Sequence, residues 1–259
     1  MIKYTISSSS IQDLCNGKIV AIWVKRFYET QFCEYATKKI EGSPQITSYP
    51  EIAGFYRLGS PYAQAFEDFK NKNIFSTIES YFQNSLEQIE HIRSLFHPYY
   101  SPIDKLRLLL DEAWEPGATL KTVNKSKYFA GIVRIMNDSK TALPPHVDRY
   151  IPLDSPDIKY KIQLAANIYL NTPKKNGHLK LWQQSISKID TSQRNKLAVC
   201  ESQKYLPNPA VSISPECGDL VIFNASLLHA VTGEMEGKRM ALGLFIGMRA
   251  YNEPLEFWS

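Results

Sequence analysis

The stretch RMALGLFIG, residues 239–247, decides how the C-terminal half of this chain folds. Successive side chains of a β-strand point to opposite faces, so the stretch would have two different faces. One face is apolar and carries Met240, Leu242, Leu244 and Ile246. The other face carries Arg239, Ala241, Gly243, Phe245 and Gly247. Small residues beside a lone arginine leave room next to a planar guanidinium, which is suited to bidentate capture of a carboxylate. The sequence therefore predicts a strand whose second face lines a cavity.

A second two-faced strand is predicted at KIQLAANIYLN, residues 161–171. One face is wholly apolar and carries Ile162, Leu164, Ala166, Ile168 and Leu170. The other face is polar but uncharged and carries Gln163, Ala165, Asn167, Tyr169 and Asn171. An antiparallel strand with one solvated face would also alternate. From Gln163 to Asn171 this face contains no Lys or Glu, which favours a cavity wall, with Gln163 and Asn167 as cofactor-binding candidates.

Along the chain, the predicted secondary structure changes from helical to strand-like. Residues 11–114 look helical, and apolar spacings of three and four predict helices at Phe75–Phe96 and Pro102–Trp114. Beyond Gly117, short β-rich runs alternate with clusters of proline, glycine and asparagine. These runs are Tyr128–Met136, Lys161–Leu170, His178–Trp182, Leu220–Phe223 and Met240–Met248. Helices followed by strands predict an α+β fold, or a β-sandwich or barrel buttressed by helices.

Composition excludes several functional classes. The 259 residues are 44% hydrophobic and 22% charged, which is ordinary for a globular protein and excludes disorder or a coiled coil over the whole chain. The net charge of +4 is mild and is not concentrated in a block, so nothing favours a nucleic-acid partner. No glycine-rich turn opens a helix, and nucleotide folds of the Rossmann and P-loop kinds are therefore not indicated.

The cysteines and the first residues indicate the cellular compartment in which the protein is expected. The four cysteines form no C-x-x-C pair, which suits a reducing compartment and implies neither a zinc site nor a disulfide framework. The start MIKYTISSSS lacks the layout of a signal peptide, and the apolar stretch Ile19–Val24 is too short to span a bilayer. We expect a cytoplasmic protein with no membrane partner.

Two histidines stand in informative surroundings. In LPPHVD, residues 143–148, two prolines favour an extended segment, so His146 and Asp148 point to the same side. His229 follows the turn and buried strand of residues 218–223. Two histidines and one carboxylate on one face of a metal is the arrangement of non-haem Fe(II) oxygenases. An H-x-D motif alone is most often structural, so this hypothesis depends on what accompanies it.

Arg239 lies ten residues after His229, at the start of a predicted strand, and accompanies the H-x-D motif. The combined pattern resembles the Fe(II)/2-oxoglutarate-dependent oxygenases over residues 128–250. The resemblance implies that His146, Asp148 and His229 bind Fe(II), that Arg239 binds the distal carboxylate of 2-oxoglutarate, and that O₂ is the second cosubstrate. It also implies a double-stranded β-helix (jelly roll) core buttressed by N-terminal helices.

Three shorter segments narrow the resemblance. SPIDKLR at residues 101–107, NIYL at 167–170 and GHLKLW at 177–182 are similar to the branch that acts on amino acids and other small metabolites. That branch includes hydroxylases and radical halogenases. Halogenases replace the metal-binding carboxylate by a small residue, which frees a position for halide. Because Asp148 is present, hydroxylation with release of succinate and CO₂ is expected, and desaturation or cyclisation remain alternatives.

The whole chain is predicted to form one oxygenase domain. Residues 1–117 would be mainly helical support and roof, residues 118–250 the jelly-roll core, and residues 251–259 a C-terminal tail. A roofed site suits a small-molecule substrate better than a protein substrate. The rival classes are a cupin-like metal enzyme that does not use 2-oxoglutarate, and a binding module with a dead site. An intact ligand set argues against the second.

Three residues are candidates for substrate binding. Arg134 lies in an otherwise apolar run, and a buried arginine needs a partner, either a substrate carboxylate or a structural acid. Arg149 follows Asp148 and would either reach the mouth of the site or lie in solvent. Trp258, near the end of the chain, could close over the site as a lid. His91, His97 and His178 are interpreted as structural.

Overall fold

The computed structural model describes residues 1–49, 52–65, 75–137, 142–148, 160–184 and 206–259. Its helices include α1 (Ser8–Cys15), α2 (Thr30–Glu41), α3 (Phe75–Phe96) and α4 (Pro102–Ala113). The bounds of α3 are those that the apolar spacing predicts. Helix α4 also begins as predicted, because the Ser101 hydroxyl accepts a hydrogen bond from the backbone N–H of Ile103 and Pro102 occupies the first turn.

The strands of the described residues belong to three sheets. The first strands along the chain are β1 (Ile2–Lys3), β2 (Ala21–Val24), β3 (Thr47–Ser48), β4 (Phe55–Leu58), β5 (Ala118–Leu120), β6 (Thr122–Val123), β7 (Ser126–Lys127) and β8 (Ile132–Met136). The remaining strands are β9 (Leu143–His146), β10 (Ile162–Asn171), β11 (Leu179–Leu181), β12 (Val211–Ile213), β13 (Leu220–Asn224), β14 (His229–Val231), β15 (Arg239–Met248) and β16 (Leu255–Trp258).

The large sheet has the order β1-β2-β13-β10-β15-β8-β4-β3, with β16 paired to β15 and β5 paired to β16. The small sheet has the order β12-β11-β14-β9, and β6 pairs with β7 alone. Most neighbours are antiparallel, whereas the β1–β2 and β5–β16 pairs are parallel. The five β-rich runs predicted from the sequence all contain strands at the expected places.

The two faces of β15 and β10 have the predicted characters. The apolar faces are buried in the main hydrophobic core, which contains Met240, Leu242, Leu244, Ile246, Leu164, Ala166 and Ile168. The same core contains the apolar stripes of the helices, among them Ile40 of α2, Ile92 of α3 and Leu106 of α4. The helices therefore pack on the outer face of the large sheet, which leaves its inner face free to line a cavity.

This packing differs from the prediction for residues 1–117 in two respects. Helices α1–α4 support the large sheet from its apolar face, where their apolar stripes pack, whereas residues 61–64 of the same segment line the cavity. The segment also contributes strands β1–β4, of which β2 pairs with β13 and β4 with β8. The predicted boundary at residue 118 thus cuts through the large sheet.

The C-terminal tail, residues 251–259, is docked on the large sheet through strand β16. Strand β8 pairs with β15 at residues 239–243, and β16 pairs with it further along, at Phe245–Gly247. Leu255, Phe257 and Trp258 are buried. The second half of β15 would otherwise present an unpaired edge, and β16 covers it.

The small residues of β15 accommodate side chains from neighbouring strands. A Cβ added at Gly247 would lie 2.4 Å from the Tyr160 ring and 2.7 Å from the Trp258 ring. A Cβ added at Gly243 would lie 2.7 Å from Oδ1 of Asn167 and 3.3 Å from Nη1 of Arg134. The room beside Arg239 that the sequence predicts is therefore partly occupied by these four side chains.

The described residues were also compared with the requirements for a membrane-spanning helix. Within them, no helix has both the length and the apolar character that a bilayer crossing requires.

Candidate metal centre

The small sheet brings the two motif histidines together. Strands β9 and β14 are antiparallel, and His146 lies directly opposite His229. Asp148 follows two residues after β9, where its backbone N–H donates to the carbonyl of Ala225 at 2.8 Å. The extended segment that the prolines favour is thus formed, and its carboxylate lies beside both rings.

The three side chains converge on one point. The distance from Nε2 of His229 to Oδ2 of Asp148 is 3.3 Å, and that from Nε2 of His146 to Oδ1 of Asp148 is 3.9 Å. The ring centres of the two histidines are 4.2 Å apart. One ligand atom of each residue lies within 4.8 Å of the other two, which makes this group a candidate iron-binding triad.

Local hydrogen bonds select the histidine tautomers. Nδ1 of His146 lies 2.7 Å from the carbonyl oxygen of Pro144, and Nδ1 of His229 lies 2.9 Å from that of Leu227. A carbonyl oxygen can only accept, so each Nδ1 carries the proton and donates it. In a neutral ring this leaves Nε2 with a lone pair that is available to a metal ion. Two imidazole nitrogens and one carboxylate oxygen form the donor set that non-haem Fe(II) oxygenases use.

The electrostatics of the group favour its metal-binding protonation state. Burial and the neighbouring His229 lower the pKa of His146, although Asp148 acts in the opposite direction. Burial raises the pKa of Asp148, but its hydrogen bond to His229 and the charges of both histidines and of Arg134 outweigh this and hold the pKa at about 2. At neutral pH the carboxylate is ionised and His146 is neutral, so neither must lose a proton before it binds a cation.

Arg239 lies in the same cavity and lacks a carboxylate partner in the described part of the chain. It is only 4% exposed. Its Nη2 donates to the Tyr169 hydroxyl at 3.4 Å, its Nη1 lies 3.6 Å from the Met136 sulfur, and its guanidinium carbon is 5.0 Å from the centre of the Tyr169 ring. Its Nε has no hydrogen-bond partner among the described residues. A buried, unpaired charge is costly, so this position is prepared for an anion.

The triad and Arg239 line one cavity of about 650 Å³. This volume suits a small ligand bound together with a cosubstrate. The other predicted site residues that line it are Gln163, Asn167, Arg134 and Trp258. Arg149 lies outside the described residues.

Trp258 has a different role from the predicted lid. It lies in β16, is 3% exposed and stacks on Tyr160 with ring centres 5.0 Å apart. Pairing of β16 with β15 fixes its position over Gly247. Trp258 is thus part of a packed wall, because strand pairing and ring stacking leave it no freedom to close over the site.

The sequence prediction missed a group of cavity residues in β4 and its flanks. These residues include Tyr49, Phe55, Arg57 and Gln64. The only signal was the short alternation FYRL at residues 55–58, which lies in a region interpreted as helical. Arg57 donates from Nη1 to Oε1 of Gln64 and from Nε to the hydroxyl of Thr47, both at 3.3 Å, and lies over the Tyr49 ring.

Comparison with known proteins places this arrangement in a family. The model of the family "Carrier-protein-independent halogenase WelO5" matches residues 3–259. The chain belongs to this family. The WelO5-family chain is accordingly one of the Fe(II)/2-oxoglutarate-dependent oxygenases, and the resemblance based on His146, Asp148, His229 and Arg239 is confirmed at the level of the superfamily.

A curated relative carries the name of a hydroxylase. The WelO5-family chain is 29% identical over 160 residues to the L-gamma-glutamyl-L-propargylglycine hydroxylase of Streptantibioticus cattleyicolor. The match covers 60% of this chain and 59% of the relative, so the aligned part spans about three fifths of each protein.

Two solved structures have a similar fold at low sequence identity. An N-substituted L-amino acid dioxygenase from Burkholderia ambifaria, in complex with 2-oxoglutarate, has a TM-score of 0.63 and 13% identity over 97% of this chain and 91% of that one. HygX from Streptomyces hygroscopicus, with nickel and 2-oxoglutarate bound, has a TM-score of 0.50 and 12% identity over 92% and 86%. The chain therefore has the mixed α/β architecture of these oxygenases, with one large and one small sheet around the site.

Proposed function

We propose that this chain is an Fe(II)- and 2-oxoglutarate-dependent dioxygenase that hydroxylates a C–H bond of a small metabolite derived from an amino acid. One observation carries the proposal: a complete two-histidine, one-carboxylate group shares a cavity with a buried arginine whose carboxylate partner is missing from the described residues. The donor set fits Fe(II), and the unpaired guanidinium fits a carboxylate of 2-oxoglutarate.

The strand order supports a double-stranded β-helix as the scaffold. The central large-sheet strands β13-β10-β15-β8 face the small-sheet strands β12-β11-β14-β9 across the cavity. In chain order, β8 to β15 alternate between the two sheets except that β11 and β12 both belong to the small sheet, as in a jelly roll formed from two Greek keys. The N-terminal helices buttress the large sheet from outside.

Each cavity residue has a distinct role in this proposal. His146, Asp148 and His229 would hold the iron, and Arg239, positioned by Tyr169, would hold the distal carboxylate of 2-oxoglutarate. Bound iron would supply the chemistry by which O₂ oxidises both substrates: one oxygen atom enters the C–H bond, and the other enters the succinate that forms from 2-oxoglutarate with loss of CO₂. Gln163 and Asn167 offer amide groups on the inner face of β10, where they orient bound ligand. Trp258 and Phe245 exclude water from the far wall.

Hydroxylation fits these residues better than the halogenation in the family's name. Asp148 is held by its backbone hydrogen bond to Ala225 and its carboxylate faces both histidine Nε2 atoms. It therefore takes the position that a halogenase leaves open for halide. The relative from S. cattleyicolor, named as a hydroxylase of a γ-glutamyl amino acid, supports the same outcome and a small amino-acid-derived substrate.

The cytoplasmic location stays a prediction. It rests on the spacing of the cysteines in the sequence, which contains no C-x-x-C pair.

The test combines binding and turnover. Addition of 2-oxoglutarate to the anaerobic Fe(II) protein should produce a weak visible charge-transfer band, whereas a cupin-like enzyme with no use for 2-oxoglutarate would give none. Succinate formation should then be screened over free, N-acylated and γ-glutamyl amino acids. Products should be analysed by mass with and without chloride. Gain of one oxygen supports hydroxylation; loss of two hydrogens or incorporation of chlorine would replace that part of the proposal.

A further inference from the structure

Two arginines face each other on neighbouring strands of the large sheet. Strands β4 and β8 are antiparallel, and Arg57 is the direct register partner of Arg134. Directly opposite residues of such a pair lie on the same face with Cβ atoms about 4.5–5.5 Å apart, and like charges there are destabilising. Both residues line the cavity that contains the triad. The fold thus places two positive charges side by side on the inner face of the sheet.

The groups that contact this pair are neutral in the described part of the chain, and the Asp148 carboxylate acts on Arg134 only through its charge. Arg57 is hydrogen-bonded to Thr47 and Gln64 and lies 5.0 Å from the Tyr49 ring centre. Arg134 has the Asn167 amide beside it over Gly243. Among the described residues, neither arginine forms an ion pair with a carboxylate. The pair is therefore oriented by hydrogen bonds and stacking but is not neutralised by them.

The side chains that line the cavity carry more positive than negative charge. Three arginines are among the described residues that line it, and Asp148 is the one acidic side chain among them. Fe(II) and 2-oxoglutarate carry opposite charges of equal size, so their binding leaves this imbalance unchanged. Arg239 can pair with the distal carboxylate of 2-oxoglutarate, which still leaves Arg57 and Arg134 facing a cavity with no anion of their own.

We propose that Arg57 and Arg134 together bind a carboxylate of the substrate, so that the enzyme acts on a carboxylic acid such as an N-acylated or γ-glutamyl amino acid and not on its neutral derivatives. This inference rests on the proposed function and specifies its substrate class. Two adjacent guanidiniums offer parallel N–H donors to both oxygens of a carboxylate. Ala241, the register partner of Arg134 on β15, leaves space for the ligand on that side.

The experiment pairs each acid with its amide. Fe(II) protein is first titrated with 2-oxoglutarate under anaerobic conditions, so that cosubstrate binding is established for every variant. Succinate release is then measured with N-acetyl-L-amino acids and γ-L-glutamyl-L-amino acids, each as the free C-terminal acid and as the primary amide. A hydrogen-bonded charged pair contributes about 1.5–3 kcal/mol, so the wild type should prefer acids by about ten-fold to more than a hundred-fold in kcat/KM.

Variants separate direct binding from a general effect of charge. Arg134→Gln and Arg57→Gln should lower kcat/KM for the acids much more than for the amides, so that the acid preference disappears. Arg134→Lys should restore part of it. The matched control is Lys38→Gln, which removes a positive charge from the exposed face of α2 and should keep the full preference. Thermal melting checks that the arginine variants are folded, and the comparison of acid with amide in the wild type needs no variant at all.

The outcomes distinguish a failure of the proposed function from a failure of the carboxylate anchor. If the wild type gives no charge-transfer band with 2-oxoglutarate, the proposed function fails. If the band forms but the amides are used as well as the acids, or no acid of the panel stimulates succinate release, the carboxylate anchor alone is overturned. An acid preference that survives in Arg134→Gln and Arg57→Gln would also overturn it.

Discussion

The two sheets contribute opposite charges to one cavity. The small sheet carries His146 and His229, with Asp148 directly after β9, and these are groups that bind a cation. The inner face of the large sheet carries Arg57, Arg134 and Arg239, which are groups that bind anions. The metal-binding groups are already oriented by hydrogen bonds to backbone, whereas the arginines contact only neutral groups among the described residues. The fold therefore separates the site that holds the metal from the site that holds carboxylates.

The largest effect should come from the small sheet. Asp148→Ala removes the anionic metal ligand, so we expect succinate formation to fall to background with every substrate. Even the outer hydrogen-bond partners of metal ligands are worth about 10–100-fold, so the loss should exceed a hundred-fold. The measurement is kcat/KM with saturating 2-oxoglutarate, alongside Fe(II) affinity. Normal turnover in this variant, or in His146→Ala or His229→Ala, would show that the triad is wrongly assigned.

The next effect should come from the large sheet and should be confined to the cosubstrate. Arg239→Ala leaves a carboxylate of 2-oxoglutarate unpaired, which costs roughly 2–5 kcal/mol, or about thirty-fold to several-thousand-fold in apparent KM. Fe(II) affinity should hardly change, because the arginine is not among the grouped metal-ligand candidates. Arg239→Lys should recover only part of the loss, since an ammonium cannot reproduce two parallel bonds. An unchanged KM for 2-oxoglutarate would place the carboxylate anchor elsewhere and favour a cupin-like enzyme.

A smaller effect concerns the wall that closes the large-sheet side. Gly247→Ala would bring a Cβ to 2.4 Å from Tyr160 and 2.7 Å from Trp258. Overpacking of this kind costs about 1–3 kcal/mol, which means a fall of a few degrees in Tm for a chain of this length. Gly42→Ala at the end of α2 is the matched control, because its Cβ would meet nothing closer than 3.7 Å. Equal melting temperatures for the two variants would contradict the packed wall.

The smallest effect should be a pH dependence of the metal-free protein that originates in the small sheet. The pKa of His146 is lower in the folded chain than its usual value of 6.5. As the pH falls below about 6.5, the unfolded chain takes up this proton before the folded chain does, and stability decreases. His146→Gln should therefore have a shallower fall of Tm between pH 7.5 and pH 5. The comparison is made by calorimetry without metal, and identical slopes would refute this contribution.

The sequence predicts the parts of the site that depend on local pattern. Period-two alternation is enough to assign Arg239, Gln163 and Asn167 to a cavity-facing surface, because the face of a side chain in a strand depends only on its position. The spacing of His146 and Asp148 after two prolines likewise predicts their common direction. What the local pattern cannot supply is the pairing of distant strands.

The missed features all depend on such pairing. Strand β4 is four residues long, and the position of Arg57 in the cavity follows from its register with Arg134 on β8. Trp258 is fixed because β16 covers the second half of β15. The helices were expected over the site, but which face of the large sheet they cover depends on which face is apolar throughout the assembled sheet. Residue contacts across long sequence separations decide all three.

The edge position of β4 has a consequence for how such an enzyme can change. Strand β4 joins the large sheet through β8 and has only the two-residue β3 beyond it. One of its two cavity-lining side chains, Arg57, contacts Thr47, Gln64 and Tyr49 in the described part of the chain and none of the proposed metal ligands. Replacement of this one side chain can therefore alter which molecules are accepted while the oxidising machinery stays intact. The residues that select the substrate and the residues that hold the metal thus lie in different sheets. Mutations near the edge of the large sheet can therefore change substrate specificity without changing the metal site.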